Sequence, residues 1–307
     1  MSRLLTALTA AAIALTTTEG AAEMTPDEIR QGYRNHAAMA QYHRWYQVYE
    51  RPEGGIANAL DILTPDVTVT SGLGTANGHE EYAARVTQLP ATWNNAHHVG
   101  STEIVHSEDG AMTLTAQIVY QNLGMLPDGA ARQADLTYAV ELVPGEGVLP
   151  LLSSVVITQN GEPVSGEFRD AYAENRVLSL VHYWLALIED PARDPEPVRE
   201  ILVDAFSLNF SSGAITDFNG FADWLAGPGS QIAASTHVIS NFSVEETGDN
   251  TYAMTVDFDW SGILPDDSVM VARTRHSWAV VNDPTERFAR IKAVDVEVLE
   301  PFRPRGE

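Results

Sequence analysis

The chain repeats itself at an interval of 139 residues, and this restricts it more than any single motif. His43-Arg44-Trp45 returns as His182-Tyr183-Trp184, Ile62-Leu63 as Ile201-Leu202, and His98-Val99 as His237-Val238 (182 − 43, 201 − 62 and 237 − 98 each give 139). After small gaps, Gly124-Met125-Leu126-Pro127-Asp128 is answered by Gly262-Ile263-Leu264-Pro265-Asp266, and Tyr138-Ala139-Val140 by Trp278-Ala279-Val280. A unit this long is a domain, since solenoid periods run about 20–50 residues. Splitting 307 residues at the repeat leaves two units near the commonest domain size, each long enough to bury its own core.

Within a unit, helical signals come first. Thr25-Pro26-Asp27-Glu28 reads as a capped helix start. From Ala37 to Glu50 the residues Met39, Tyr42, Tyr46 and Tyr49 recur at helical spacing, and Arg51-Pro52-Glu53-Gly54-Gly55 ends the run. A shorter helix is expected over 56–63, a strand at Val67-Thr68-Val69, and a third helix from Gly78. Beyond Asn95 the pattern is strand-like. Met112, Leu114, Ala116, Ile118 and Tyr120 alternate with polar or smaller residues, as do Tyr252, Met254, Val256, Phe258 and Trp260 in the second unit, so each strand buries one face. Helices followed by an antiparallel meander make the expected class α+β. The turn-rich stretch from Gln159 to Glu167 separates the units, with expected domains at 23–160 and 161–307.

The N-terminus carries a short basic start, an apolar run from Leu4 to Leu15 and small residues at Gly20-Ala21-Ala22. That is the pattern of a secretory signal, too short to span a bilayer as a mature helix, and residues 1–22 are read as such. The expected location is therefore periplasmic or secreted, with no membrane association after cleavage. There is no cysteine, which excludes disulfides, thiolate nucleophiles and cysteine-held metals. A formal charge of −24 disfavours nucleic acid and anionic membrane surfaces. Lys292 is the only lysine, so the first unit has no lysine for Schiff-base chemistry.

Helices that precede a curved antiparallel sheet, with a strand opening on His98-Val99-Gly100-Ser101-Thr102 or His237-Val238-Ile239-Ser240-Asn241, resemble the SnoaL-like branch of the NTF2-like superfamily. The resemblance covers residues 37–158 and 175–302. It implies two tandem cone-shaped half-barrels, each closing over a pocket, in a family of cyclases, dehydratase-like lyases, isomerases and non-catalytic pocket proteins. It also implies that His98 and His237 are the strand histidines that face the pocket. A second histidine that dehydratase-like members carry on the next strand is represented here by Gln121 and Ser261. Their Tyr-Asp pair late in the first helix corresponds to Tyr49-Glu50 and Ile188-Glu189. Related domains pair through their sheets, which implies an intramolecular pseudo-dimer.

His43 and Glu50 lie two helical turns apart, on one side of the first helix, and His182 and Glu189 repeat the arrangement. If that side looks into the pocket, a helix histidine, a helix carboxylate and a strand histidine converge in each unit. Such a set suits general acid–base work, because histidine titrates near neutrality and a carboxylate fixes its tautomer. His276 shares a strand face with Trp278 and Val280, where the first unit is aligned with Leu136, which makes the second unit the favoured site. The expected catalytic set is His237, His276, His182 and Glu189, or His98, His43 and Glu50 in the first unit. Packing of His43 and His182 into the core is the competing reading. Tyr46, Tyr120, Tyr138, Trp184, Trp260 and Trp278 are expected ligand-binding rings, although large aromatics fill cores as readily as they line pockets. No cofactor is called for and no metal site is expected, since the adjacent His97 and His98 point to opposite faces of a strand. The expected partner is a small apolar or aromatic molecule. The chemistry is a cofactor-independent lyase, isomerase or cyclase reaction, or else non-catalytic binding or interaction.

Overall fold

The computed structural model of the chain describes residues 24–227 and 231–306. The export signal read at 1–22 lies outside the described residues. Helix α1 (Pro26–Trp45) starts well before Ala37, because Thr25 and Glu28 form a reciprocal capping box. The Thr25 hydroxyl accepts from the Glu28 N–H while the Glu28 carboxylate accepts from the Thr25 N–H at 2.6 Å. The helix breaks at Tyr46 and resumes as the short α2 (Gln47–Glu50), followed by α3 (Ala57–Leu60). Next come β1 (Leu63–Ser71), β2 (Gly74–Asn77), α4 (Gly78–Thr87), β3 (Asn94–His106), β4 (Met112–Leu123), β5 (Ala131–Val143) and β6 (Leu151–Gln159). The small β7 (Val164–Gly166) pairs back onto β5, so the first sheet extends past residue 160.

The second unit repeats the order with α5 (Tyr172–Glu189), β8 (Leu202–Phe210), β9 (Gly213–Ile215), α6 (Phe218–Ala226), β10 (Ala234–Gly248), β11 (Thr251–Ile263), β12 (Val269–Val281) and β13 (Arg290–Pro304). The sheets run β2-β1-β6-β5-β4-β3 and β9-β8-β13-β12-β11-β10. Strand for strand they correspond, down to one parallel pairing in each, β1 with β6 and β8 with β13. The class is α+β, with two separate sheets. The alternation read in the sequence holds: Met112, Leu114, Ala116 and Ile118 on β4, and Tyr252, Met254, Val256 and Phe258 on β11, are buried. Each such Leu, Ile, Phe or Met side chain contributes about 1.5–3 kcal/mol of burial.

The units pair through helices, which corrects the expectation of sheet-to-sheet pairing. Contacts His36–His182 and His43–Asn175 show that α1 and α5 run antiparallel. They cross at small residues, where the Ser179 hydroxyl donates to the Ala40 carbonyl at 2.8 Å, and Ala37 and Ala40 join the core of the second unit. Side chains this short let the backbones approach closely enough for polar groups to bond across the crossing. Arg176, fully buried on α5, places all five of its N–H groups on Gln47, Asn282 and the carbonyls of Asp283, Glu286 and Arg287. It thereby ties the β12–β13 connection to α2 of the other unit. Among the described residues no helix is long and apolar enough to cross a membrane.

Candidate functional site

Glu189 is the last residue of α5, buried beneath the mouth of the second sheet. Its Oε1 lies 2.7 Å from Nδ1 of His237 on β10. Burial pushes the Glu189 carboxyl well up and the His237 imidazole well down. Burial therefore works against a fully charged Glu189–His237 pair. No described residue engages His237 Nε2. His237 and His276 both line a cavity of about 270 Å³, whose walls include Trp184, Phe210, Trp224 and Trp260. Both imidazoles make T-shaped contacts with Phe258, with ring centroids at 5.3 and 4.7 Å. Burial lowers His276 to about 4, so it is neutral at pH 7, and its Nδ1 is buried without a partner. Polar work by this ring falls to Nε2.

The first unit builds the same pair with a different histidine. Glu50 Oε1 accepts from the backbone N–H of His97 at 2.8 Å and lies 3.1 Å from His97 Nδ1. His97 lines a cavity of about 460 Å³ together with Tyr49, Tyr120 and Tyr138. His98 instead points to the other face of β3, where its Nε2 meets the Arg169 carbonyl at 3.1 Å. The imidazole aimed at the cavity is thus His97, not His98. Ladder registers give the reason: His97 lies opposite Tyr120 and His237 opposite Trp260, both 140 residues apart rather than 139. One residue has been gained between helix and strand, and a one-residue slip turns every side chain to the opposite face.

A second slip alters the place of His276. On the neighbouring strand Tyr138 pairs with Ile157 and His276 with Val296, and Ile157 and Val296 are themselves 139 apart. His276 therefore occupies the position of Tyr138, and Trp278 that of Val140, not those of Leu136 and Tyr138. An imidazole in one cavity replaces a phenol in the other.

His43 and His182 line neither cavity. They stack on each other at the α1–α5 crossing, centroids 5.7 Å apart and 14° from parallel. The helix histidine therefore does not join the strand histidine in either cavity, because its side of the helix faces the other unit. Around this stack the hydrogen bonds determine every tautomer. His36 Nε2 faces the His237 carbonyl at 3.0 Å and must donate, so its Nδ1 accepts from His182 Nδ1–H at 2.9 Å. His43 Nδ1 donates to Asn175 Oδ1 at 2.9 Å, and Asn175 Nδ2 donates to both Glu50 oxygens and to the His97 carbonyl. Burial lowers His36 and His43 to about 4 and His182 well below its usual range, so all three rings are neutral.

Of the expected ligand-binding rings, Tyr120 and Tyr138 line the first cavity and Trp184 and Trp260 the second. Tyr46 is fully buried and stacks on His97 at 4.5 Å, and Trp278 packs edge-on against Trp184 in the core. His97, His36 and Asn175 were not singled out from the sequence. The 140-residue spacing of Tyr120 and Trp260 was the available signal for His97. Nothing local marks the other two.

Helices ahead of a mixed sheet whose first strand runs parallel to its last, with a buried helix carboxylate held against an inward strand histidine, occur twice. Each half thus has the architecture that the resemblance to the NTF2-like superfamily implies. No protein-family model and no curated protein matches the sequence. Solved structures that it resembles include an NTF2-like superfamily protein of Salmonella enterica, 15% identical, covering 45% of this chain and 97% of that one, with a TM-score of 0.38. A hexachlorocyclohexane dehydrochlorinase of Novosphingobium barchaimii is 13% identical over 43% of this chain and 90% of its own, with a TM-score of 0.37. ActVI-ORFA of Streptomyces coelicolor is 18% identical over 40% of this chain and 93% of its own, at 0.34.

Proposed function

We propose that the second cavity carries out proton abstraction on a small, largely apolar or aromatic molecule, as in a cofactor-independent elimination, isomerisation or ring closure. The observation that carries this reading is the 2.7 Å Glu189–His237 contact at the wall of an aromatic-lined cavity. Once the dyad has lost its second proton, Nδ1–H is held by the Glu189 carboxylate and His237 presents an unprotonated Nε2 to the cavity as the general base. When Nε2 takes a proton from carbon, Glu189 balances the charge on the ring or accepts the Nδ1 proton, so the dyad passes from one negative charge to none. The C–H electron pair becomes the new π bond and expels a β-leaving group, or delocalises as an enolate. His276, neutral on the same wall, donates a hydrogen bond to the developing negative charge without competing for the proton, as a neutral imidazole does. A cavity of about 270 Å³ suits one or two rings. The N-terminal pattern at 1–22 supports export as part of the same reading.

The probe is 5-nitrobenzisoxazole, a compact aromatic in which removal of the one C–H of the isoxazole ring forms a nitrile and breaks the N–O bond to release a phenolate. The full chain is expected to open it with saturation kinetics, and His237→Ala to lose roughly a hundredfold or more of that rate. Activity falls on acidification as the dyad takes up its second proton. If His237→Ala opens the probe as fast as the parent chain, the base assignment is wrong and the cavity only binds.

A further inference from the structure

We infer that each carboxylate–imidazole dyad is positioned by a side chain from the other unit: His36 of the first for Glu189–His237, and Asn175 of the second for Glu50–His97. This rests on the dyad reading above but extends it across the domain boundary. The two residues occupy equivalent places in the repeat, 139 apart (175 − 36), and both donate to the backbone carbonyl of a strand histidine. Asn175 Nδ2 donates to the carbonyl of the strand histidine at 2.9 Å and to the helix carboxylate at 3.0 and 3.2 Å. His36 Nε2 donates to the carbonyl of the strand histidine at 3.0 Å and lies 3.6 Å from Glu189 Oε1. Each is oriented in turn by the α-helical histidine of the opposite unit, His43 for Asn175 and His182 for His36.

Different side chains have therefore been kept for the same geometric role, that of a neutral donor, fixed from behind, which pins the strand histidine through its backbone beside the carboxylate. Such a donor orients the reacting ring without changing the charge of the site, as partners behind a reacting group do. The consequence is mutual dependence. Each cavity is walled by its own unit, but neither dyad has its full set of partners in one unit alone, and α1 and α5 cannot separate without releasing both dyads. This explains why buried histidines are concentrated at a crossing where apolar residues would pack more cheaply.

The test uses the full chain and follows the imidazole resonances of His237 and His97 through a pH titration by NMR. His36→Phe removes the donor, and is expected to shift the His237 titration and tautomer signals while leaving those of His97 unchanged. Asn175→Ala is expected to do the reverse. His36→Asn, which installs the donor used by the other unit, is expected to return His237 to its parent behaviour. With 5-nitrobenzisoxazole, His36→Phe is expected to lose up to roughly tenfold in rate, the scale of one lost hydrogen bond, and His36→Asn to recover it. The inference is overturned if His36→Phe leaves His237 unmoved, or if each variant moves both histidines alike, which is what loss of a general packing contact would do. If His36→Phe does not fold, Asn175→Ala carries the same test for the first unit. Crossed NMR shifts with no probe turnover would sustain the positioning role and end the catalytic reading, whereas loss in His237→Ala without loss in His36→Phe would do the opposite.

Discussion

Replacing Gly32 by alanine tests how tightly the first unit is pressed against the site of the second. Gly32 sits on the buried side of α1, and a Cβ built there would lie 2.0 Å from Thr236 Oγ1, 2.4 Å from Thr236 Cβ and 3.2 Å from Glu189 Oε2. Rotating the threonine would clear its hydroxyl but not its Cβ, which the β10 backbone holds in place. Ordinary carbon–carbon contact needs about 3.5–4.0 Å, so α1 would have to retreat by about 1 Å or more. Overpacking of this kind costs about 1–3 kcal/mol, and stretching the His36 contact adds about 1 kcal/mol. Against this, alanine gains about 1 kcal/mol over glycine within a helix. The net expectation is a loss of about 1–3 kcal/mol, read as a fall of several degrees in Tm by calorimetry. Gly220→Ala on α6 is the control, since a Cβ there meets nothing nearer than 3.4 Å and should raise stability by up to about 1 kcal/mol. A Gly32→Ala protein as stable as the parent, or more so, would refute the close approach of α1 to β10 on which the His36 bond to the His237 carbonyl depends.

Acid is expected to weaken the fold between about pH 6.5 and 4, because His36, His43 and His276 are each lowered from 6.5 to about 4. The unfolded chain binds their protons first, so their contribution is present above 6.5 and is lost as pH falls through the folded values, by up to about 3 kcal/mol per ring. Glu189, raised by burial, acts in the opposite sense, its contribution being present below 4.5 and lost as pH rises through its folded value. Urea midpoints across this pH range should show a shallower acid dependence in His43→Asn than in the parent; identical slopes would count against a buried neutral ring. Arg176→Met should cost about 3–5 kcal/mol in denaturant unfolding, since it strands three loop carbonyls and two amide oxygens that the guanidinium now satisfies. A loss below about 1 kcal/mol would mean that water replaces those bonds readily.

Much of the architecture was legible along the chain. Recurrence of His-x-Trp and of Leu-Pro-Asp disclosed the duplication, and period-two alternation on β4 and β11 disclosed their inner faces. The capping box at Thr25 was visible, but not that the helix would run unbroken from it to Trp45, because its first turns bury only Ile29 and Gly32 and so carry little periodic signal. The fold brings Glu189 Oε1 within 2.7 Å of His237 Nδ1. His98 was placed wrongly because sequence matching aligns letters, whereas the ladder aligns hydrogen-bonded rungs, and a single inserted residue between α2 and β3 separates the two.

What the residues decided alone was everything local in origin: two units, helices before strands, a carboxylate closing the first helical run of each unit and an imidazole on a later strand. Only the tertiary structure decided which imidazole turns inward and what stands behind it. The orientation of a strand side chain reverses with one residue of register, and His36 lies 201 residues from the carbonyl it holds. No pattern within a helix records a bond whose other half is supplied by a different domain.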